Sequence, residues 1–352
     1  MSKQYDAAVV IGRFQPFHNA HEKLIAKAQE IAKQVVVVLG GHRCAVTIRD
    51  PWTSDEREKM VLSVFPDVGC VAVRDHLYND GLWLAEVQQK VRERVGDDAK
   101  VALVGHYKDR TSYYLKTFPQ WDFEEVPSFF KGINATDIRA AYFSEVGSWR
   151  EHCPLRVVEY LHEWCACQQP ASHARFMHAD GRALSTVFAR LQEEFAFIEK
   201  YKASWASAPF PPTFVTVDAV VIGSGHVLVV KRRGMPGKGA IALPGGFIKA
   251  HEKIKDAVLR ELKEETGIRV PIDQLRAYTT DSGVFDHPDR SLRGRTITHA
   301  FLIRLPDGNL PAVLGADDAE RAWWMPLGDL YLREDTFFED HRHIVSWFVN
   351  KL

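Results

Sequence analysis

One segment of the 352-residue chain restricts its fold more than any other, because it places glycines and charges at fixed spacings around a single helix. It begins at Gly246, reaches Glu252 after five intervening residues, and after seven more continues as RELKEETGI, residues 260–268. Glycines permit sharp turns and a left-handed helix end. The spacing therefore predicts a tight loop, one strong helix, and a helix cap at Gly267.

The carboxylates of this helix predict a metal site. Residues three and four apart lie on one helix face, which brings three glutamates together: Glu261, Glu264 and Glu265. Carboxylate oxygens are the ligands that Mg²⁺ and Mn²⁺ prefer, and such an ion can bridge diphosphate oxygens and activate water for attack on phosphorus. The structural alternative is a charged helix that is simply solvated.

The same segment resembles the Nudix box, and it matches every fixed position of that box. The resemblance implies a Nudix domain, an α/β/α sandwich with a mixed sheet, that hydrolyses a nucleoside diphosphate derivative with Mg²⁺, or with Mn²⁺ in its place. It also implies that Arg260 orients the glutamates and that Glu252 supports the loop or the water network of the metal. The expected site residues are the catalytic Glu261 and Glu265, the metal ligands Glu261, Glu264 and Glu265, and the substrate-binding Gly246.

The segment that follows points to the substrate of the hydrolase. FDHPDRSLRGRTITHAF, residues 285–301, resembles ADP-ribose pyrophosphatases that occur fused to an adenylyltransferase. ADP-ribose is therefore the expected substrate, and another nucleoside diphosphate derivative is the alternative. Arg290, Arg293 and Arg295 either meet phosphate or ribose or stay solvated on a loop, and Arg290 and Arg295 are the expected contacts. A general base outside the box is left open among Asp281, Asp286, Asp317, Asp318 and Glu320.

The first part of the chain alternates short apolar runs with amphipathic segments, which predicts a parallel α/β sheet. The runs are Ala7–Ile11, Val35–Leu39, Val71–Val73 and Val101–Val104. Such sheets bind ligands beyond the carboxyl ends of their strands. The loops that follow the runs are therefore the expected place for chemistry.

The first of these loops reads GRFQPFHNAH, residues 12–21. Gly12 permits a tight turn into a helix, whose first turn offers free N–H groups and a positive dipole end to a phosphate. His18 and His21 are three residues apart, so both imidazoles point to one side and can donate to phosphate oxygens. A pair of surface histidines or a chance metal pair is the alternative.

Three later segments complete the pattern: Arg49 in IRDPWTSDERE, Trp83 in YNDGLW, and Arg139 in INATDIR, where Thr136 or Asn134 can cap a helix. Together with the histidines they resemble the nicotinamide mononucleotide (NMN) adenylyltransferases over residues 1–165. The resemblance implies a Rossmann-like nucleotidyltransferase domain that joins NMN and ATP, with Mg²⁺ on the phosphates, into NAD and pyrophosphate.

The resemblance also implies the roles of single residues. The expected catalytic residues are His18, His21 and Arg139, and the expected substrate contacts are Gly12, Arg13, Phe14, Arg49, Asn79, Trp83, Asn134 and Thr136. Trp83 is expected to stack on the nicotinamide ring, the alternative being a core aromatic. Two positions depart from the family, since Ala20 replaces a glycine and Asn134 stands where serine is common. Lys108 and Asp109 either touch substrate or pair with each other.

The segment between the two patterns predicts a connector. Residues 184–198 repeat apolar side chains at spacings of three and four, which is typical of a helix, and the prolines of SAPFPP, residues 207–212, end it. FVTVDAVVI and HVLVVKR then predict a hairpin. We therefore expect an adenylyltransferase domain at 1–165, a helical connector at 166–206, and a hydrolase domain at 207–352.

Composition limits the classes of partner. Forty-five Lys and Arg face 46 Asp and Glu, so no global field draws the chain to nucleic acid or an anionic membrane. Five cysteines without paired spacing, no run near the ~20 apolar residues of a membrane span, and no signal-peptide core predict a cytoplasmic protein. ATP, NMN and ADP-ribose are the expected partners, and a homo-oligomer is left open.

Two other function classes are alternatives for this chain. A nucleotide sensor that binds ADP-ribose without cutting it needs a DNA-reading element and usually a damaged box, whereas this box is intact and the chain is not basic. An inactive scaffold domain is the other alternative. The replacement of the usual glycine by Ala20 slightly favours it for the first domain. The favoured hypothesis is a bifunctional enzyme with two separate active sites.

Overall fold

A computed structural model describes residues 3–107, 110–127, 134–167 and 187–352 of the chain. These residues divide into two compact units, Met1–Phe195 and Ala196–Leu352. The division falls inside the helix Val187–Ala203, so the predicted connector contributes to both units. Lys108 and Asp109 lie outside the described residues, as does much of the predicted connector.

The first unit alternates strands and helices along the chain. Its strands are β1 Tyr5–Gly12, β2 Ala32–Leu39, β3 Gly69–Ala72, β4 Val101–Gly105 and β5 Asp122–Glu125. Its helices are α1 Asn19–Ile31, α2 Ser54–Val64, α3 Asp80–Val95, α4 Ala135–Phe143, α5 Leu155–Cys167 and the shared α6 Val187–Ala203. Short 3-10 segments cover Arg110–Lys116 and Gly147–His152.

The strands form one parallel sheet in the order β3-β2-β1-β4-β5, which confirms the predicted parallel α/β architecture. Val9 on the central strand pairs with Val36 of β2 and Leu103 of β4, and all three side chains are buried. The sequence interpretation missed β5, because three of its four residues, DFEE, are acidic and the strand is mostly exposed. Strand order reverses between β1 and β4 at the sheet's centre, and such folds bind ligands beyond the carboxyl ends of the strands at that point.

The second unit is built around a mixed sheet. Its strands are β6 Thr213–Gly223, β7 His226–Arg232, β8 Ile241–Ala242, β9 Gly245–Phe247, β10 Thr279–Phe285, β11 Arg295–Arg304 and β12 Ala319–Pro326. Its own helices are α7 Ile254–Thr266, α8 Ile272–Ala277 and α9 His341–Val349, with 3-10 segments at Leu327–Leu330 and Glu334–Thr336.

The main strand order is β10-β11-β6-β7-β12, with β8 on β7 and β9 on β6. Only the β11–β6 pair is parallel among these strands, which confirms the mixed sheet. The predicted hairpin is also present, because β6 pairs with β7 across Ser224 and Gly225. Helix α7 buries its apolar face, Ala257, Val258, Leu259 and Leu262, in the core of this unit. No helix within the described ranges is long and apolar enough to span a bilayer.

Candidate active sites

The turn that leaves β1 is held in a constrained shape. Phe14 adopts φ 52, a left-handed conformation that is uncommon for a bulky residue, and its ring is buried. The Gln15 side chain donates to the Trp52 carbonyl at 2.8 Å and accepts from the Trp52 amide at 3.2 Å. Gly12 lies against the Phe14 ring, where an added Cβ would be 3.1 Å away. The residues that begin the predicted phosphate loop are therefore fixed by packing.

His18 and His21 lie together at the start of α1, as the spacing predicts. Their rings stack with centroids 3.7 Å apart, and Nδ1 of His21 accepts from the His18 amide at 3.3 Å. Burial, and then the neighbouring His18, lower the pKa of His21 well below its usual value. A neutral ring that accepts at Nδ1 carries its proton on Nε2. His21 is thus a neutral hydrogen-bond donor at the amino end of α1, next to the rings of Phe14 and Phe17.

Three arginines from distant parts of the sequence surround one carboxylate. Arg13 pairs with Asp50 at 2.8 Å and with Asp75 at 2.6 Å. Arg139 donates to the Gln15 carbonyl at 2.6 Å. Burial lowers the pKa of Arg139 to about 10; Asp50 opposes this shift, while the positive charges of Arg49 and Arg13 add to it. Positive charges that lower one another's pKa in this way would be stabilised by a bound anion.

Arg57 is one of the residues of this site, with Asp50 and Asp75, that the sequence interpretation missed. Its side chain is fully buried, and its guanidinium donates to the carbonyls of Arg13 at 2.6 Å, Gly40 at 2.6 Å and Gly41 at 3.2 Å. Its Nε also donates to the Thr53 carbonyl at 3.2 Å. Arg57 therefore joins the residues that follow β1 to those that follow β2. Within SDEREK it looks like an ordinary surface helix residue, so the sequence gives no signal for this role.

The predicted nicotinamide contacts lie at the start of α3. Asn79 caps the helix, and its side chain accepts from the Leu82 amide at 3.1 Å. Trp83 is half-buried and packs edge-on to Tyr114, with ring centroids 5.9 Å apart, and at 6.0 Å from Phe118. Trp83 thus borders the apolar core while part of its surface stays exposed, which leaves both of its predicted roles compatible with the structure.

Helix α4 presents Arg139 from a capped first turn. Asn134 is the N-cap, because its side chain accepts from the Asp137 amide at 2.8 Å. Thr136 is exposed, and its hydroxyl accepts from Arg139 at 3.3 Å. Asn134 therefore caps the helix, as a serine at this position would. Ala20 is the second residue of α1 and is half-buried.

In the second unit, Arg260 joins the carboxylates around α7. It pairs with Glu252 at 2.7 Å, with Glu261 at 2.7 Å and with Glu264 at 2.8 Å. The hydrogen bonds with Arg260 lower the pKa of Glu252 to about 2. Gly267 ends the helix with φ 56, which confirms the predicted left-handed cap. Arg260 thus orients two glutamates and ties the preceding loop to the helix.

Glu265 faces a different group. It is buried and accepts from the Gly245 amide at 3.0 Å. Burial, with a contribution from Glu261, raises the pKa of Glu265 to about 8, and burial also raises the pKa of Glu261. The glycines leave room for these groups, because a Cβ on Gly246 would lie 2.8 Å from the Glu261 carboxylate.

The three glutamates are not gathered into a ready-made metal cluster. Within the described ranges, no group of three or more His, Cys, Asp or Glu side chains is arranged to hold a metal ion. The physical reason is that Arg260 holds Glu261 and Glu264, while the Gly245 amide holds Glu265. The donor chemistry nevertheless fits a hard divalent cation, because the donors are carboxylate oxygens, two of them with raised pKa values that a nearby cation would lower.

The predicted substrate arginines lie differently from one another. Arg290 is not on an exposed loop, since it is buried in a two-pronged pair with Asp340 at 2.8 and 2.9 Å. That geometry excludes the solvated-loop alternative and gives Arg290 a structural partner, while its contact with substrate stays a prediction. Arg295 is half-buried at the start of β11 and is bound to Asp286. Arg293 lies over the ring of Phe247, 4.9 Å from its centroid.

The candidate general bases are also distinguished by their neighbours. Asp281, Asp286 and Glu320 pair with Lys351, Arg295 and Lys231 respectively. Asp317 is exposed and is the candidate whose charge helps to raise the pKa of Glu261. Its loop is attached to the end of α7, because the Ala316 amide donates to the Glu265 carbonyl at 3.0 Å.

Comparison with known proteins finds relatives of each of the two units. A family model for the NUDIX domain matches residues 212–348, and a Cytidylyltransferase-like model matches residues 9–105. The nicotinamide/nicotinic acid mononucleotide adenylyltransferase of Acinetobacter baylyi is 38% identical over 145 residues, 40% of this chain and 77% of that enzyme. The ADP-ribose pyrophosphatase of Methanocaldococcus jannaschii is 38% identical over 116 residues, 33% of this chain and 63% of that enzyme, which is just under two thirds of its length.

A solved structure covers both units at once. It is a bifunctional NMN adenylyltransferase/ADP-ribose pyrophosphatase from Francisella tularensis, complexed with AMP and a manganese ion. It is 32% identical to this chain, with a TM-score of 0.87 over 99% of each chain. This chain belongs to that bifunctional family.

Membership of the bifunctional NMN adenylyltransferase/ADP-ribose pyrophosphatase family confirms the two resemblances found in the sequence and the order of the two domains. It favours two catalytic domains over the nucleotide sensor, for which no finding gives better support. This chain retains every glutamate of the box.

Proposed function

We propose that the first unit, within residues 1–165, transfers the adenylyl group of ATP to NMN and releases NAD and pyrophosphate. The observation that carries this proposal is the group of Arg13, Arg49 and Arg139 beyond the carboxyl ends of the first two strands. Burial, and then the positive charges of Arg49 and Arg13, lower the pKa of Arg139 although Asp50 opposes the shift. A polyphosphate would neutralise them, and the nearby helix α1 directs its N–H groups to the same region.

The reaction requires positioning and charge stabilisation rather than a protein nucleophile. A phosphate oxygen of NMN forms a bond to the α-phosphorus of ATP while the bond to pyrophosphate breaks, so negative charge accumulates on the transferring group and the leaving group. Arg139 supplies positive charge, and His21 supplies a neutral N–H donor. The stacked His18 completes the pair, with Gly12, Phe14, Asn134 and Thr136 as the proposed neighbours of ATP.

We further propose that Trp83 and Asn79 lie beside the nicotinamide ring. Trp83 keeps an exposed part of its ring at the start of α3. The face of an indole ring attracts positive charge, and the nicotinamide ring of NMN is cationic. Asn79 is committed to capping through its oxygen, which leaves its amide nitrogen as the group that can reach the substrate.

The second unit, within residues 207–352, is proposed to hydrolyse ADP-ribose to AMP and ribose 5-phosphate. The observation that carries this proposal is the network in which Arg260 orients Glu252, Glu261 and Glu264 beside the glycines of β9. Water attacks one phosphorus of the diphosphate, and the bridging oxygen leaves with the other phosphate. The proposed catalytic groups are Glu261 and Glu265.

A divalent cation, Mg²⁺ in our proposal, would be held by Glu261, Glu264 and Glu265 and would neutralise the diphosphate and lower the pKa of the attacking water. Gly246 lets the substrate approach the backbone beside Glu261. Asp317 is the proposed acceptor of the water proton, since it is exposed and lies near enough to Glu261 to influence its pKa. Arg295 is retained as a phosphate contact, and Arg290 is proposed to shape the site through Asp340.

The assay that tests these proposals uses the full chain and two separate incubations. One contains Mg²⁺, ATP and NMN, the other Mg²⁺ and ADP-ribose, and chromatography follows NAD and AMP. We expect both products. NAD without AMP would contradict the proposed hydrolase substrate, and AMP without NAD would contradict the proposed transfer reaction.

A further inference from the structure

The loop between β2 and α2 carries two residues of the first site, although its backbone is irregular. Residues 40–53 form this β2–α2 loop, which the structure describes throughout as turns and irregular backbone. Asp50 pairs with Arg13 at 2.8 Å, and Arg49 beside it is a proposed phosphate contact. Each residue of such a loop loses conformational entropy when the loop is fixed. Contacts from outside the loop are therefore needed to keep Arg49 and Asp50 in place.

A turn at Thr47 sets the positions of these two residues within the loop. The Thr47 hydroxyl accepts from the amides of Arg49 and Asp50, at 3.3 Å in each case. The Thr47 amide donates to the Asp50 carbonyl at 3.4 Å. Bonds of this kind are local, so they fix Arg49 and Asp50 relative to Thr47 but not relative to the sheet. The turn itself has to be anchored.

Helix α6 anchors the turn on both sides. Arg190 donates to the Val46 carbonyl at 3.4 Å. The Glu194 carboxylate accepts from the Ile48 amide at 3.3 Å. Val46 and Ile48 are the chain neighbours of Thr47, while Arg190 and Glu194 are four residues apart and lie on one face of the helix. The first-unit part of α6 thus offers a cation and an anion to the two main-chain groups that flank the turn.

Glu194 is a buried acid on a helix face that is otherwise apolar. It is only 5% exposed, and Leu191, three residues earlier, is buried in the core of the first unit together with Phe188. Burial of a carboxylate is costly unless hydrogen bonds compensate it. An apolar side chain would be buried at lower cost if packing were the only requirement. The carboxylate at this position therefore points to a requirement other than packing.

We propose that Glu194 and Arg190 are positioning residues for adenylyl transfer, because they hold the loop that presents Arg49. The inference rests on the proposed transfer reaction of the first unit. It adds part of helix α6, which begins at Val187, to a site that was expected within residues 1–165. The two side chains act on ATP only through the β2–α2 loop.

The test separates KM from kcat for NAD formation by the full chain. Glu194→Leu keeps a side chain that can pack on the apolar face of α6, but it removes the acceptor of the Ile48 amide. The KM for ATP should rise about tenfold, because the phosphate contact of Arg49 is weakened, while kcat stays within about twofold. Glu194→Gln keeps an acceptor oxygen without the charge and should restore the wild-type KM. A residue that only supports the fold would change thermal stability and leave this KM as it is.

The matched control is Glu193→Leu, because Glu193 is the adjacent glutamate of α6 and is exposed. It should leave the KM for ATP unchanged, and ADP-ribose hydrolysis should be unchanged in every variant. An unchanged KM in Glu194→Leu, or an equal rise in Glu194→Gln, would overturn the positioning role.

Arg190→Met keeps the test decisive if Glu194→Leu does not fold. Arg190 is half-buried, and methionine retains the aliphatic part of its side chain without the donor to the Val46 carbonyl. The KM for ATP should rise about threefold, and a wild-type value would refute the proposal. If the wild-type chain forms no NAD, the proposed function fails instead. Calorimetric titration of ATP into the wild type and Arg190→Met then decides the role of α6 by itself, with equal affinities refuting it.

Discussion

A fully buried arginine without a carboxylate among its hydrogen-bond acceptors is unusual, because burial of a charge is costly unless it is compensated. Arg57 is compensated by four backbone carbonyls, those of Arg13, Gly40, Gly41 and Thr53. Burial lowers the pKa of Arg57, yet the group stays charged at any physiological pH. Its fork of donors can therefore hold the ends of β1 and β2 in one arrangement.

Arg57→Lys should slow adenylyl transfer, because a single ammonium cannot satisfy carbonyls that the guanidinium reaches with separate nitrogens. We expect kcat/KM for NAD formation to fall about 100-fold, as for other displaced catalytic loops. ADP-ribose hydrolysis should be unchanged and serves as the internal control. Steady-state kinetics of both reactions on one preparation measure the effect, and a variant with wild-type NAD formation would refute the role of Arg57.

His341 makes a second residue-scale prediction, about pH. It is buried and accepts from the Leu243 amide at 2.9 Å, and burial lowers its pKa from 6.5 to about 3. Between these values the unfolded chain binds a proton that the folded chain excludes, so stability is lost as the pH falls below 6.5. The loss attributable to His341 should reach about 2 kcal/mol at pH 5.

His341→Asn keeps an acceptor near the Leu243 amide without a group that titrates. The wild type should therefore lose more stability than this variant between pH 7.5 and pH 5, at about 1.4 kcal/mol for each pH unit below 6.5. Hydrogen exchange of the Leu243 amide and its neighbours reports the stability of this unit. Equal losses of stability in the two proteins would show that the pKa of His341 is not lowered in the folded chain.

At this scale the sequence predicts residues whose chemistry stands out from their surroundings. His18 and His21 flank a helix start, and the glutamates of α7 crowd one face, so both sets could be named in advance. Asp218 could have been found as well, because an acid inside the apolar run FVTVDAVVI is anomalous. It is buried and accepts from the Thr298 hydroxyl at 2.6 Å. Arg57 and Asp50 could not, since their partners are backbone carbonyls and residues remote in sequence.

Among the elements, β9 is the one whose sequence has least freedom. It pairs with β6 so closely that a Cβ on Gly245 would lie 2.1 Å from the Val217 carbonyl oxygen. A Cβ on Gly246 would instead lie 2.8 Å from the side-chain carboxylate of Glu261. Backbone fixed by strand pairing cannot yield, whereas a side chain can rotate. The two glycines are therefore required for different reasons.

Gly245→Ala should destabilise the second unit by about 2 to 3 kcal/mol, while Gly246→Ala should leave it folded but displace Glu261. Hydrolysis by Gly246→Ala should consequently fall about 100-fold. Hydrogen exchange in residues 196–352, measured as the temperature is raised, reports the stability of the second unit. It therefore separates the loss of stability in Gly245→Ala from the loss of hydrolysis in Gly246→Ala. Near-wild-type hydrolysis by Gly246→Ala would contradict the placement of Glu261.

Elements follow the sequence where burial is strong. The four apolar runs of the first unit became β1 to β4, and the glycine-bounded helix became α7, because each has a continuous or periodic apolar pattern. Strand β5 was not predicted from the sequence. DFEE pairs with β4 through backbone hydrogen bonds, which do not depend on the identity of the side chains. Very short β8 and β9 are likewise defined by their partners rather than by their own residues.

At the scale of the whole molecule, each unit has its own core and its own site. The contacts that shape the first site come from residues between 12 and 194, and those that shape the second come from residues between 245 and 340. The product of one proposed reaction is not the substrate of the other. The account therefore predicts two activities that can be removed one at a time.

The direct test assays NAD formation and AMP release in the wild type, His18→Ala and Glu265→Gln, with both activities measured on the same folded preparations. His18→Ala should lose about 100-fold or more in NAD formation and hydrolyse ADP-ribose normally, and Glu265→Gln should do the reverse. Loss of both activities from either single substitution in a folded protein would contradict two independent active sites.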